Sequence, residues 1–345
     1  MNLEKPRIVA FEVTRRCRYN CKHCRANAGY GENKELTTEQ CKKIIASIAQ
    51  FSKPICILTG GEPMERSDIY EIINYGRRQG LQMVMATCGY LLDDRAAAKL
   101  KEAGISALSF SLDGAIVETH DQFRQTSSAY DLVIKAAKTA KRAGIRFQIN
   151  TTISKINFGE VEAIADLAER MGAYCFDAFI FVPTGRGRTL IGEILEPAEY
   201  EKLLNRLLDL KLKSSIEIRV TCGPQFARVC RQTKGKQDAI VSHGCMAGRG
   251  FGFVSYCGDV QTCGFLNVSA GNLIENGFDF GKIWTESEFL KKIRSLSSYK
   301  GNCGVCEYVG CCGGCRARAY TMSGDWLAAD PVCSYQPKMA MPYHR

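Results

Sequence analysis

From Arg7 to about Val182, six short β-rich runs alternate with helix-like segments. A chain with this alternation folds as a parallel α/β sheet, because consecutive parallel strands need a helical crossover. The runs are IVAFEV (8–13), ICILT (55–59), LQMVMA (81–86), ISALSFSL (105–112), IRFQINTTI (145–153) and CFDAFIFV (175–182). Helices are expected near 38–50, 67–79, 93–103, 130–143 and 160–171. Gly80, Gly104, Gly144 and Gly172 stand where a helix gives way to the next strand, and read as C-caps. Eight such units would close a barrel, but PTGRGR at 183–188 breaks the rhythm after six, so the sequence predicts an open, incomplete (β/α)6 barrel. Leu203, Leu204, Leu207 and Leu208 mark a connecting helix over 197–213 that packs behind it.

Eighteen of the 345 residues are cysteine, and seven of them form the tight spacings Cys17-x3-Cys21-x2-Cys24 and Cys303-x2-Cys306-x5-Cys312-x2-Cys315. The N-terminal stretch lacks the apolar run of an export signal, so the expected compartment is the cytoplasm, where thiols stay reduced and metal ligation or redox chemistry outranks disulfides. From His243 onward the chain is rich in Gly and Cys with short apolar runs, and a small domain there needs metal to support a thin core. The net charge of +10 is scattered, which suits an anionic ligand as readily as nucleic acid. No apolar stretch approaches the roughly 20 residues of a membrane span.

The first cysteine loop directly follows the first strand, at the carboxyl end where (β/α) enzymes carry their active-site loops. Three thiolates on one loop can bind three irons of a [4Fe-4S] cube and leave the fourth iron open to a ligand. A zinc knot completed by His23 or His120, or simply buried thiols, are the alternatives. The spacing resembles the signature of the radical S-adenosylmethionine (radical SAM) enzymes, whose fold is a partial barrel of six βα units. That resemblance implies a radical SAM [4Fe-4S] cluster on Cys17, Cys21 and Cys24, with the open iron chelated by the amino and carboxylate groups of S-adenosylmethionine. Reductive cleavage of the sulfonium then yields methionine and a 5′-deoxyadenosyl radical that takes hydrogen from unactivated carbon.

Thr59-Gly60-Gly61-Glu62-Pro63, closing the second strand, resembles the family's GGE motif, which receives the methionine ammonium. Without Cβ atoms the backbone there can approach a ligand closely. By position, Ser111 would contact ribose or carboxylate, and Arg124 would pair with the methionine carboxylate. Asn150 and Val182, ending strands five and six, would touch ribose and adenine, with ordinary strand-end packing as the alternative for both. The chain departs from the family at Thr87-Cys88-Gly89, where many relatives have Thr-Asn-Gly.

The C-terminal third carries Cys245-x12-Gly258-x4-Cys263, the dense run from Cys303 to Cys315, and Cys333. It resembles the SPASM extension of radical SAM enzymes, which carries auxiliary iron-sulfur clusters. The usual x3 in the dense run is x2 here, which makes Cys311 an alternative to Cys312. The resemblance implies two auxiliary [4Fe-4S] clusters, one on Cys303, Cys306, Cys312 and Cys333, the other on Cys245, Cys263 and Cys315. Cys222 is the preferred fourth ligand of the latter, with Cys257 or an open site as alternatives, because the place of the usual cysteine is Ala239. Cys41, Cys56, Cys88, Cys175 and Cys230 lie in or beside regular segments and read as small buried hydrophobes. The implied organisation is a radical SAM partial barrel over 1–190, a connecting helical segment over 191–240 and a SPASM-like cluster domain over 241–345.

Within that family, ILTGGEP, MATCGYLL, FQINTTISK, FVPTGRGR and CGVCEYVGCCGGCRARAYTMSGDWLAADPVCSYQP look most like the heme synthases of the alternative, siroheme-dependent pathway. The likeness implies oxidative decarboxylation of two propionates of iron-coproporphyrin III to vinyl groups, giving heme b. It also implies a tetrapyrrole substrate, an external electron donor and acceptor of ferredoxin or flavodoxin type, and no nucleic-acid partner. A substrate with four carboxylates suits the basic charge, and Arg186, Arg188, Arg249, Arg316 and Arg318 are expected near its mouth. His243 or His23 is a candidate axial ligand of its iron, although His23 stands where the family usually has an aromatic side chain, and packing suits it better.

The second reading is a peptide-modifying maturase that forms carbon-carbon or thioether links. Many of those carry an N-terminal peptide-recognition domain, whereas here the cysteine loop starts at residue 17. The third is a zinc-stabilised nucleic-acid binder. Metal analysis of anaerobically purified protein separates the third from the others: iron with acid-labile sulfide is the expected result, and zinc alone would favour the nucleic-acid binder.

Overall fold

Residues 5–31, 34–233 and 244–338 are described by the computed structural model; His243 and Ala239 lie outside them. The first half runs β1 (Ile8–Thr14), α1 (Thr38–Phe51), β2 (Ile55–Gly60), α2 (Ile69–Arg78), β3 (Gln82–Thr87), α3 (Asp94–Ala103), β4 (Ala107–Ser111), α4 (Val117–Arg124), α5 (Ala129–Arg142), β5 (Phe147–Ile153), α6 (Val161–Met171) and β6 (Cys175–Ile180). The six strands and five of these helices stand where the periodicity puts them. In α1, Cys41, Ile44, Ile45 and Ile48 repeat at helical spacing and are buried, and a Thr37–Gln40 capping box closes the N-terminus. Helices α3 and α6 end on Gly104 and Gly172 at φ +91° and +89°, the left-handed conformation that releases the chain into the next strand.

The chain continues through α7 (Pro197–Lys213), β7 (Glu217–Thr221), α8 (Phe226–Gln232), β8 (Phe251–Val254), β9 (Asp259–Gln261), β10 (Gly271–Asn272), α9 (Phe280–Glu286), α10 (Glu288–Arg294), α11 (Gly301–Val305) and α12 (Arg316–Ser323). All ten strands form one sheet in the order β10-β9-β8-β1-β2-β3-β4-β5-β6-β7, whose two ends do not meet. Strands β1 to β8 pair in parallel and β8-β9-β10 antiparallel. The sheet thus extends beyond the six expected strands on both sides. The stretch 191–240, expected as helical, contributes β7 beside β6, and β8 from the cysteine-rich third pairs with β1. No helix of the described residues is long and apolar enough to cross a membrane.

The carboxyl ends of β1 and β2 are joined by backbone hydrogen bonds, with Arg66 Nη1 also donating to the Val13 carbonyl at 2.9 Å. Gly61 donates its N–H to the Thr14 carbonyl at 2.8 Å, and Glu62 donates to the Arg16 carbonyl at 2.8 Å. A Cβ on Gly60, whose φ is +154°, would stand 2.1 Å from the Thr14 carbonyl oxygen, and one on Gly61 would stand 2.3 Å from that of Arg16. The glycine pair is therefore required by the protein's own chain, a stronger constraint than the ligand approach that the motif suggests. Replacing Gly61 with Ala should destabilise the fold by about 1–3 kcal/mol through overpacking. Gly159→Ala, with open space around it, should stay within about 0.5 kcal/mol in the same anaerobic unfolding experiment.

Candidate active site

Leaving β1, the chain turns into the loop that carries Cys17 and Cys21, both buried, and the half-buried Cys24. The loop packs around Tyr19, Ala26, Ala28 and Tyr90. Arg186, from the segment after β6, clamps it: Nε donates to the Cys21 carbonyl at 3.0 Å and Nη1 to that of Ala28 at 2.6 Å. Burial pushes the Cys21 thiol up to about 11. Cys17 moves the other way, to about 6, because a hydrogen bond from Cys88 outweighs its burial. Cys88, expected to be a passive core residue, thus meets the first cysteine of the loop. The burial of Cys21 is offset when a cation replaces the lost water, and three cysteines on one loop fit the iron of a cluster.

Beside the loop, Glu62 is wholly buried. It accepts hydrogen bonds from Thr87 Oγ1 at 2.8 and 2.9 Å, from the Cys88 N–H at 2.7 Å and from the Met64 N–H at 3.1 Å. Burial nevertheless lifts its carboxyl to about 7. Thr59 pairs in register with Glu12 of β1. Across the sheet, Ser111, Asn150 and Asp177 lie opposite one another on β4, β5 and β6, and Asn150 Oδ1 accepts from Gln148 Nε2 at 2.7 Å. Val182, two residues beyond β6, is buried with Leu266, Ile293, Cys315 and Ala317.

Arg124 is also buried. Its Nη2 pairs with Asp113 at 2.6 Å, its Nη1 reaches Cys21 Sγ at 3.7 Å, and its Nε has no hydrogen-bond partner among the described residues. An orphaned buried donor next to the loop fits a ligand carboxylate. Asp113 is the centre of this group. Its carboxyl is penalised by burial, but Arg124, His23 and His120 outweigh that and hold it below the usual range. His23 stacks on Phe123 with ring centroids 4.0 Å apart, and burial lowers its pKa to about 4. Sequence reasoning missed Asp113, although its place in SLDG at the end of β4 was a signal of the same kind as GGE at the end of β2.

The remaining cysteines gather in two groups. Cys303, Cys306, Cys312 and Cys333 line one cavity together with Tyr308 and Asp330. Cys222 hydrogen-bonds Cys315, which it lowers to about 7 against the effect of burial. Burial raises Cys263 to about 12, with Cys245 and Cys315 adding to the rise. Cys222 takes φ +58°, rare for a residue with a Cβ, where its thiol reaches Cys315. The other sequence candidates lie apart: Cys311 donates to the Tyr308 carbonyl, and Cys257 contacts Ser255 and Asp259. The groups touch through the Cys245 N–H, which donates to the Cys312 carbonyl at 3.0 Å. Among the described residues, no three or more His, Cys, Asp or Glu side chains converge to hold a metal ion. The groups are defined by shared cavity and mutual contact.

Of the five arginines expected at a substrate mouth, Arg186 clamps the cysteine loop, and Arg249 donates to the Arg294 carbonyl and Tyr299 hydroxyl. Arg316 and Arg318 are 1% and 0% exposed, committed to interior contacts. Only Arg188 borders the large polar cavity, which has about 810 Å³ of empty space up to its open mouth. Arg15 and Arg25 also line it and flank the buried Glu12 carboxylate at 3.8 and 3.3 Å. One wall is Arg25-Ala26-Asn27, immediately after Cys24, and another includes Gly264, immediately after Cys263.

Comparison with known proteins agrees with this geometry. The Radical SAM superfamily matches residues 11–168. The AdoMet-dependent heme synthase of Methanosarcina barkeri is 41% identical over 343 residues, covering 96% of this chain and 97% of the relative. That of Oleidesulfovibrio alaskensis is 39% identical over 344 residues, covering 96% and 88%. Streptococcus suis SuiB bound to S-adenosylmethionine shares the fold, with a TM-score of 0.78 at 18% identity, covering 97% of this chain and 79% of that one. With its three-cysteine loop after β1, its GGE turn after β2 and its end-to-end similarity to these enzymes, the chain belongs to the AdoMet-dependent heme synthase family of the radical SAM superfamily.

Proposed function

We propose that this protein, acting in the cytoplasm, converts iron-coproporphyrin III to heme b by oxidative decarboxylation of two propionates. The observation that carries the reading is the polar cavity bordered by residues next to Cys24 on one side and next to Cys263 on another, with Arg15, Arg25 and Arg188 on its walls. Guanidinium groups pair carboxylates in a fork and remain charged when partly buried, as a substrate with four carboxylates requires.

In this reading residues 1–190 generate the radical, 191–240 connect, and 241–345 handle the electron. Cys17, Cys21 and Cys24 hold a [4Fe-4S] cluster, and S-adenosylmethionine bound to it supplies the 5′-deoxyadenosyl radical that removes a hydrogen from the propionate. Glu62, with Thr59, Gly60 and Gly61, faces the methionine ammonium, and the free Nε of Arg124 receives its carboxylate. Ser111, Asn150 and Val182 would border the nucleoside. Each propionate that loses hydrogen and CO2 leaves one surplus electron and a vinyl group. Cys222, Cys245, Cys263 and Cys315 would hold one auxiliary [4Fe-4S] cluster and Cys303, Cys306, Cys312 and Cys333 another, and these would supply the one-electron acceptor that the reaction needs. A ferredoxin- or flavodoxin-like acceptor then resets them, and a donor of the same kind reduces the first cluster.

The direct test is an anaerobic incubation with S-adenosylmethionine, reductant and iron-coproporphyrin III. The expected product has lost two CO2 and four hydrogens and absorbs as heme b. Formation of 5′-deoxyadenosine with unchanged porphyrin mass would reject the substrate and favour a peptide-modifying maturase.

Glu62 gives a pH signature. Its folded pKa, about 7, lies above that of an unfolded glutamate, so its contribution to stability is present at low pH and lost as pH rises through 7. A cationic ligand beside the carboxylate restores it. S-adenosylmethionine should therefore raise the unfolding temperature more at about pH 8 than at about pH 6, and Glu62→Gln should abolish the difference.

A further inference from the structure

Arg316 opens α12 directly after Cys315 and is almost wholly buried. Its guanidinium donates to the carbonyls of Gly314 at 3.3 Å, Trp326 at 3.1 Å and Ala328 at 2.6 Å, and its Nη2 donates to Cys303 Sγ at 3.5 Å. It lies over the Tyr299 ring, 4.5 Å from the centroid. A Cβ on Gly314 would stand 2.4 Å from Arg316 Nη2 and 3.0 Å from Cys303 Sγ, so the chain leaves this space for the guanidinium to reach the sulfur. Among the described residues no carboxylate lies within ion-pair distance of Arg316.

Arg318, two residues on, is equally buried but differently partnered. It pairs with Asp330 at 3.5 Å and donates to the Cys222 carbonyl at 3.2 and 2.5 Å. Asp330 in turn accepts from the Cys315 N–H at 2.8 Å. Arg318, the cation nearest Cys222 and Cys315, is thus ion-paired, whereas Arg316, bonded to Cys303, is not; the Asp330 carboxylate lines the cavity of the Cys303 group as well. Arg316 also acts on Cys245, through its main chain and its charge, but its hydrogen bond to sulfur goes to Cys303.

Adding an electron to a cluster adds negative charge, which an unneutralised cation and an N–H···S bond both favour. We propose that Arg316 is a positioning residue for the electron, raising the reduction potential of a cluster on Cys303, Cys306, Cys312 and Cys333 above that of its neighbour on Cys222, Cys245, Cys263 and Cys315. The inference rests on the auxiliary-cluster reading above. The electron then has a direction, from the group beside the substrate cavity, where Gly264 follows Cys263, to the group beyond it. The Cys245 N–H, which donates to the Cys312 carbonyl at 3.0 Å, is a direct polar link between them. No bond is made or broken in this step: the nearer cluster is oxidised by one electron and the farther one reduced by it.

The test is an anaerobic redox titration, followed by electron paramagnetic resonance, of the reconstituted full chain as wild type, Arg316→Met and Arg316→Lys. In the Met variant one auxiliary midpoint should move to more negative potential while the other two clusters keep theirs. The Lys variant, which retains the charge, should recover most of that shift. If Arg316→Met fails to assemble its clusters, Arg316→Gln replaces it with the same expectation. Unchanged midpoints, or a Lys variant shifted as far as Met, would overturn the proposal and leave Arg316 a structural residue. A wild type with about four irons per chain instead of about 12 would remove the auxiliary clusters themselves, a failure of the earlier reading that takes this one with it.

Discussion

Two peptide carbonyls, those of Thr14 and Arg16, fill the space that side chains at residues 60 and 61 would need, and the whole catalytic edge hangs on that contact. The hydrogen bonds from Gly61 and Glu62 fix the exit of β2 against the start of the cysteine loop. Glu62 then reaches Thr87 and Cys88 at the end of β3, and Cys88 reaches back to Cys17. Three strand ends are thereby locked in one arrangement before any cofactor arrives. A parallel sheet brings such ends together in general; here close backbone approach makes the arrangement rigid, which suits the cluster-holding role proposed for the loop.

A second layer of order comes from charges buried in pairs. Asp113 pairs its carboxylate with Arg124 and His23 and donates its N–H to His120 Nδ1, and Arg124 in turn reaches Cys21 Sγ. An unpaired charge at that depth would cost several kcal/mol, so the cluster of partners specifies one geometry for the loop. Arg186 completes the enclosure from the segment after β6. The same economy appears around the C-terminal cysteines, where Arg318 and Asp330 neutralise one another and Arg316 does not. Arg66, Arg124, Arg228, Arg316 and Arg318 are buried, and the net charge of +10 says less about the ligand than the few guanidinium groups that line the polar cavity.

The six strands and their crossovers could be read from sequence because apolar runs of strand length were punctuated by glycine caps. Helix α4 could not: VETHDQFR has no apolar stripe, and it buries His120, Phe123 and Arg124 for their roles around Asp113. Strand β7 escaped notice because only Ile218 of its five residues is buried, and β8 because a four-residue run among glycines and cysteines carries little periodicity. The resemblance to the SPASM extension implied which cysteines belong together, and Cys303, Cys306, Cys312 and Cys333 line one cavity. Spacing could not reveal that Cys88 meets Cys17, that Cys222 adopts a left-handed backbone beside Cys315, or that Arg316 and Arg318 point inward. Those facts depend on contacts between residues far apart in the chain, and no local pattern encodes them.

The account stands on one iron of the first cluster having no ligand from the polypeptide. The measurement closest to that claim is electron-nuclear double resonance on the reduced protein with S-adenosylmethionine isotope-labelled in its amino nitrogen and carboxylate oxygen. The structure predicts magnetic coupling from both labels to the cluster, weakened when Glu62 or Arg124 is replaced. A cluster signal with no coupling to either label would mean that the fourth iron is closed, and would contradict the assignment from which the rest follows.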